Sequence, residues 1–347
     1  MQIQIVWIAV SKPHTLIGGA FLRLQPEALM NDKFIIGIHC HRVPLGDSEY
    51  PASPPPVGLA HDCVRLHDCG LAWCDINPSL GKYDFTRFDA IVAAHPGKSF
   101  VWPLYGTPVF ALKRPSDAAV FDAYRHPGGG GAALQGPVRD ICYEVTNRYP
   151  GRILAIQLGN EPQFTGLADQ KSFFWGFAID LVEMGIAARS QLKLSAPTVQ
   201  LWTAGFMGGE TMRQFLLAGQ ITRGRDIIDA VCWHPYGCWL ANDTTNIITG
   251  WSGVSMVRNV MAGCGVPGKK IVISEYGIDA NLTDPRITAF NAMTTEQRYR
   301  YWYTLICALR GANVAGIYLY ALDQNLCGDL CGDTQGTIKA INDASIL

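Results

Sequence analysis

Eight short apolar runs punctuate the sequence, and longer segments of helical character separate them. The runs that read as strands are 34–40 (FIIGIHC), 69–75 (CGLAWCD), 99–105 (SFVWPLY), 153–160 (ILAIQLGN), 192–197 (LKLSAP), 227–234 (IIDAVCWH), 270–277 (KIVISEYG) and 314–321 (VAGIYLYA). Helices are expected over 57–68, 85–95, 116–149 with a break at the glycine run 127–131, 169–190, 208–219, 251–263 and 294–311. In 169–190, Phe173, Phe177, Leu181 and Met184 recur at spacings of three and four, the stripe of a helix packed on a sheet. Strands in strict alternation with helices imply parallel pairing through crossover connections, and eight repeats imply a closed (β/α)8 barrel over 34–322. Residues 1–33 then form an N-terminal extension and 323–347 a C-terminal segment packing on the barrel. An open doubly wound sheet is disfavoured, because no glycine-rich dinucleotide fingerprint follows any of these strands.

A chain of 347 residues is long enough for one barrel domain. Its 28 basic and 29 acidic residues nearly balance, and nothing in that composition suggests a polyanionic partner such as nucleic acid, whose capture needs a basic face. Charged residues are only 16% of the chain, below the usual quarter or so, and a neutral polar ligand fits such a surface better. No apolar run approaches the roughly 18 residues of a membrane helix. The N-terminal IQIVWIAV is too short to span and has no basic residue before it, so neither a membrane span nor a signal peptide is expected there. Eleven cysteines include the close pair Cys327 and Cys331, which could close a small disulfide loop, but no second pair at zinc-ribbon spacing.

Two of the strands end in carboxylates. Residues 153–163 run as an apolar strand and then finish on Asn160, Glu161 and Pro162, residues that strands avoid. Glu275 ends the seventh run in ISEYG. In a barrel of this kind the active site is built at the C-terminal ends of the strands, and strands four and seven face one another across the mouth. Paired carboxylates across a cleft suit hydrolysis of a glycosidic bond. One protonates the leaving oxygen; the other attacks the anomeric carbon or activates water, depending on their separation.

GNEP closing strand four and ISEYG closing strand seven resemble the signature of the clan A retaining glycoside hydrolases. Within that clan, 70–89 (GLAWCDINPSLGKYDFTRFD) and 101–111 (VWPLYGTPVFA) resemble glycoside hydrolase family 39, which contains xylosidases, iduronidases and exopolysaccharide-cleaving enzymes. The resemblance implies Glu161 as general acid/base, Glu275 as nucleophile and Asn160 as partner of the sugar 2-hydroxyl. It implies substrate-side roles for His234 and Tyr236 in WHPYG, with the tyrosine hydroxyl holding the nucleophile. It also implies no cofactor and no metal. The carbohydrate partner would be a poly- or oligosaccharide, and such a substrate together with many cysteines points to the periplasm or the exterior.

Aromatic rings at strand ends can stack on the apolar face of a pyranose, which makes Trp73, Trp102, Trp202, Trp239 and Tyr320 candidate binding residues. Arg42, after strand one, could donate to a sugar hydroxyl or a uronic carboxylate. Two other readings compete. His39 and His41, with His234 and Asp323, could ligate a hydrolytic metal as in amidohydrolase barrels. The barrel could also bind glycan without cleaving it.

Overall fold

A computed structural model describes residues 34–39, 58–67, 69–114, 133–162, 170–222, 227–235, 253–277, 292–320 and 334–346. Eight parallel strands close into a barrel in sequence order: β1 (Ile35–His39), β2 (Cys63–Arg65), β3 (Ser99–Pro103), β4 (Ile153–Gln157), β5 (Gln200–Phe206), β6 (Ala230–Trp233), β7 (Lys270–Tyr276) and β8 (Val314–Leu319). Closure is made by β1 against β8, with Ile35 opposite Gly316 and Ile38 opposite Leu319. The fold is a (β/α)8 barrel.

The helices are α1 (Trp73–Ile76), α2 (Thr86–Ala94), α3 (Gln135–Arg148), α4 (Gln170–Ser195), α5 (Gly209–Ile221), α6 (Val254–Gly263), α7 (Thr295–Gly311) and α8 (Thr334–Ile346). Each amphipathic crossover buries one face against the sheet. In α7 the register starts at a capping box, where Thr294 accepts from the Gln297 backbone and the Gln297 side chain accepts from the Thr294 backbone. Its apolar side, Trp302, Leu305, Ile306 and Leu309, is buried. In α8, Asn342 accepts from the Ala60 N–H and donates to the Gly58 carbonyl, tying this helix to the entry of β2.

Two cores result. The larger lies between strands and helices and includes Ile36, Phe88, Phe100, Trp102, Ile156, Leu201 and Ile273. The smaller is drawn from strands alone and fills the barrel lumen with Cys63, Val101, Ala155, Trp202, Ala230, Cys232, Val272 and Tyr318. Gly37 is needed for that filling, since a Cβ there would meet the Tyr318 ring at 2.2 Å.

Two strands and one helix sit elsewhere than the sequence suggests. Residues 69–75 are not the second strand: they form a turn and then α1, while β2 is Cys63–Arg65, inside the segment 57–68 read as helix. Three apolar-rich residues are too few for any periodicity to register. Residues 192–197 are not the fifth strand either, because α4 continues to Ser195 and β5 begins at Gln200. The alternation L-K-L imitates a strand, yet Leu192 is buried and Leu194 is 81% exposed, as Ala188–Leu192 spacing on one helix face requires. Strand rank is unaffected, so Glu161 still follows the fourth strand and Glu275 lies in the seventh. Leu181 and Met184 of the expected stripe are buried. The side chains of Phe173 and Phe177, residues 1–33, the glycine run 127–131 and the Cys327/Cys331 pair lie outside the described residues. Cys63, Cys142, Cys232, Cys264 and Cys307 are free thiols.

Candidate active site

The C-terminal end of the barrel gathers a polar cluster around one buried arginine. Arg65, the last residue of β2, has no solvent exposure. Its Nε donates to Gln157 Oε1 (2.8 Å), Nη1 to Glu275 Oε1 (2.5 Å) and Nη2 to Asn160 Oδ1 (2.6 Å). Nη1 also lies 3.4 Å from His39 Nδ1. One planar fork thus ties β1, β2, β4 and β7 together, which the point charge of a lysine could not do. The His39 tautomer follows: Nε2 donates to the His67 carbonyl (2.9 Å), leaving Nδ1 to accept from Arg65.

Glu161 is positioned by backbone geometry. After β4 the chain turns at Gly159 (φ 81°) and runs on beside β5, where Asn160 bridges to Gly205 and the Glu161 N–H donates to the Gly205 carbonyl (3.0 Å). Glu161 itself has φ 37°, in the left-handed region that a non-glycine residue enters at a cost of roughly 1–3 kcal/mol. Glu275 reaches the mouth from inside β7. Consecutive strand residues ordinarily face opposite sides, but the register against β8 shifts between Ile273 and Tyr276, and both Ser274 and Glu275 approach His234. The next residue, Tyr276, is anchored outside the barrel by a hydroxyl–hydroxyl bond to Tyr301 of α7 (2.5 Å).

His234, just past β6, stands between the two carboxylates. Its Nδ1 is 2.7 Å from Glu161 Oε1 and 3.4 Å from Glu275 Oε2, while Nε2 is 2.9 Å from Ser274 Oγ. Burial drives its pKa from 6.5 down to about 3, and the Arg65 and His67 charges push the same way against the upward pull of Glu275. The ring is therefore neutral near pH 7. Room for it comes from Gly205, where a Cβ would fall 2.0 Å from Nε2. Oxygens of Glu161 and Glu275 lie within 4.8 Å of each other, and the Glu161 side chain is 13% exposed against 4% for Glu275.

The residues singled out from sequence divide clearly. Glu161, Glu275, Asn160 and His234 converge in one cluster. Tyr320 borders it, its ring edge-on to His39 at 4.6 Å. Trp73, Trp102 and Trp202 do not present a ring to a sugar, since each is fully buried. Trp73 belongs to α1, Trp102 faces the helices with Nε1 donating to the Leu71 carbonyl, and Trp202 lies in the lumen against Tyr318. Arg42, Tyr236 and Trp239 lie outside the described residues.

Arg65, Gln157, Ser274, His67 and Gly205 were not foreseen. The available signals were a charged residue closing the apolar triplet 63–65 and a glutamine closing the apolar strand 153–157.

Of the four metal ligands that the sequence offered, only His39 and His234 lie among the described residues. His41 and Asp323 lie outside the described residues, and His234 directs its two nitrogens at Glu161 and Ser274. His39, His67 and Glu275 do bring one potential ligand atom each within 4.8 Å, but Arg65 already places its cationic fork on Glu275 and on His39 Nδ1, where a second cation would be repelled.

Barrel and cluster together define a (β/α)8 protein with a carboxylate pair at the C-terminal mouth. No family profile and no curated protein sequence matches the chain. In structure it is similar to a glucosidase from Croceicoccus marinus, at 11% identity over 91% of this chain and 68% of that one with a TM-score of 0.59. It is also similar to native xylanase 10C from Cellvibrio japonicus (13%, 90% and 70%, 0.55) and to the tri-modular endo-β-1,4-glucanase B of Bacillus halodurans (11%, 90% and 60%, 0.56). At such identities the likeness establishes the barrel fold. Among the described residues no helix is long and apolar enough to cross a membrane.

Proposed function

We propose that this protein is a retaining glycoside hydrolase that cleaves β-glycosidic bonds in a poly- or oligosaccharide. The observation that carries the reading is the carboxylate pair, with oxygens within 4.8 Å at the ends of β4 and β7. Nearest oxygens this close are compatible with the short carboxyl separation of retaining enzymes, roughly 5–5.5 Å, in which the second carboxylate acts as nucleophile.

In the first step the Glu275 carboxylate attacks the anomeric carbon while Glu161 delivers its proton to the glycosidic oxygen. The aglycone leaves as an alcohol and a glycosyl ester remains on Glu275. In the second step Glu161, now a carboxylate, takes a proton from water, whose oxygen displaces the ester and frees Glu275. Greater exposure of Glu161 suits the group that meets leaving group and water; the deeper Glu275, compensated by Arg65, suits the nucleophile. Asn160 is oriented through its Oδ1 by Arg65, which directs its amide nitrogen away from Arg65 and towards a sugar hydroxyl.

Membership of clan A is supported by the structural likeness to a xylanase and an endo-β-1,4-glucanase and by the GNEP and ISEYG segments. The closer family 39 likeness rests on segments 70–89 and 101–111, and with it a microbial exopolysaccharide substrate and an extracellular or periplasmic setting. Tyr320, at the rim, and Tyr236, Trp239 and Arg42 are the proposed sugar contacts.

The test is product release, read by mass spectrometry, from a panel of β-linked plant and microbial polysaccharides. Oligosaccharides from the wild type and none from Glu275→Gln support the reading; equal cleavage by both removes Glu275 from its role. Tight glycan binding without turnover, unchanged in Glu161 or Glu275 variants, would make the protein a binding barrel.

A further inference from the structure

Five side chains form a directed hydrogen-bond chain that ends on Glu161. Arg65 only donates, so Gln157 must turn its carbonyl oxygen to Arg65 Nε (2.8 Å) and its NH2 to Ser274 Oγ (3.2 Å). Ser274 Oγ accepts there with one lone pair, and because Nδ1 of His234 faces two carboxylate oxygens, the Ser274 hydrogen is assigned to His234 Nε2 at 2.9 Å. Nε2 is then an acceptor, and the ring hydrogen sits on Nδ1, aimed at Glu161 Oε1 at 2.7 Å. The opposite tautomer would set the Nδ1 lone pair against Glu275 Oε2, 3.4 Å away on a carboxylate paired with Arg65. Gln157, Ser274 and His234 are all fully buried, so water does not substitute for a missing link from the surface.

From this geometry we infer that Gln157 and Ser274 are positioning residues that hold His234 as its Nδ1–H tautomer. The catalytic consequence rests on Glu161 being the acid/base. With Oε1 permanently accepting from Nδ1–H, the proton that Glu161 delivers is carried on Oε2, which fixes the side from which the glycosidic oxygen must approach. When Glu161 becomes the base, the same N–H supports its negative charge. Nδ1 also lies 3.4 Å from Glu275 Oε2, so one donor is held between the two carboxylates throughout.

An isosteric change at the start of the chain should invert it. In Gln157→Glu the NH2 becomes an oxygen that accepts from Ser274 Oγ–H as well as from Arg65. Ser274 Oγ then accepts the hydrogen of Nε2, and Nδ1 is left bare against Glu161.

The experiment is nitrogen-15 NMR of histidine-labelled protein near pH 7, with the His234 signals assigned through His234→Gln. The expected wild-type ring has a pyrrole-type Nδ1 and a pyridine-type Nε2, and in Gln157→Glu the two exchange types. A wild-type ring protonated on Nε2, or on both nitrogens, overturns the proposal even if the variant does not fold. A folded variant whose ring keeps Nδ1–H shows that Gln157 does not set the tautomer and overturns it as well. The spectra need no substrate, so they stand or fall apart from the glycosidase reading. Where turnover is found, Gln157→Glu should lower kcat/KM about 10²-fold on alkyl glycosides, within the range for general acid catalysis, and less on dinitrophenyl glycosides, whose aglycone leaves without protonation. Equal losses on both substrate types would overturn the claim that Gln157 acts on catalysis through Glu161.

Discussion

The Glu161 N–H is bonded to the Gly205 carbonyl at 3.0 Å, beyond the last rung between β4 and β5, and in that position Glu161 has φ 37°. The proposed acid/base is thus held out over the mouth by a backbone conformation unfavourable to its own residue type. Neighbouring Gly159 takes φ 81° without penalty, so the turn is shared between a residue suited to it and one that is not.

Replacing Glu161 by glycine should therefore separate stability from activity. Relief of the left-handed strain, partly offset by the freer unfolded chain, is expected to make Glu161→Gly more stable by about 1 kcal/mol. Urea denaturation would measure this gain, and activity should be lost. A variant less stable than wild type would show that the strain is not stored at this residue.

Glu161→Ala and Glu275→Gln should differ in how they depend on the leaving group. Without the acid, turnover of alkyl glycosides should drop by about 10²–10⁴-fold, while aryl glycosides with acidic phenols still form the glycosyl ester. Without the nucleophile neither substrate type should react. Burst kinetics with a dinitrophenyl glycoside distinguish the two cases, and indifference of Glu161→Ala to the aglycone would count against the acid assignment.

Gly205→Ala should act through His234. The added Cβ falls 2.0 Å from Nε2, so the ring must move off Ser274 and Glu161 together. Overpacking of this kind costs about 1–3 kcal/mol, measurable as a lower thermal midpoint. Activity in the folded fraction should fall further than stability does; a variant as active as wild type would mean that the histidine need not be where it is.

Arg65→Met leaves Glu275 buried with its charge uncompensated, a change that costs about 3–5 kcal/mol. Adding Glu275→Gln removes that charge, and the double variant should recover a substantial part of the loss. Simple additivity in chemical denaturation would argue that the two side chains do not stabilise each other.

Acid should destabilise the fold through His234. Its folded pKa is depressed from 6.5 to about 3, so between these values the unfolded chain takes up a proton that the native ring refuses. Stability attributable to His234 is therefore full above about pH 6.5 and declines as pH falls towards 3. His61, also lowered by burial, contributes in the same direction. Thermal melts from pH 4.5 to 7 should show a shallower slope for His234→Gln than for wild type, and parallel slopes would contradict the depressed value.

Much of this was legible in the sequence because the barrel imposes a rhythm. Strands β1, β3, β4, β6, β7 and β8 stand out as apolar runs, and carboxylates that end such runs are conspicuous. Strand β2 escaped because three residues carry no period, and with it went Arg65, the hub of the site. The L-K-L of residues 192–194 misplaced β5, since helical and alternating patterns coincide over so short a span. The tryptophans misled for another reason: Trp102 and Trp202 both occur in strands, and only the register decides that one faces the helices and the other the lumen. Ser274 was invisible because strand alternation sends it away from the side that Glu275 faces, and the shift in β7 cannot be read from residue types.

The bond between Asn342 and Ala60 joins residues 282 positions apart, and the β1–β8 seam closes over a similar span. During synthesis at about 5–20 residues per second, β1 must therefore wait on the order of tens of seconds for its neighbour. Through that interval the growing sheet has two open edges that invite pairing with other chains. For this protein, the yield of soluble material should depend on how fast the ribosome moves and on which chaperones cover the nascent edges, as much as on the stability of the finished barrel.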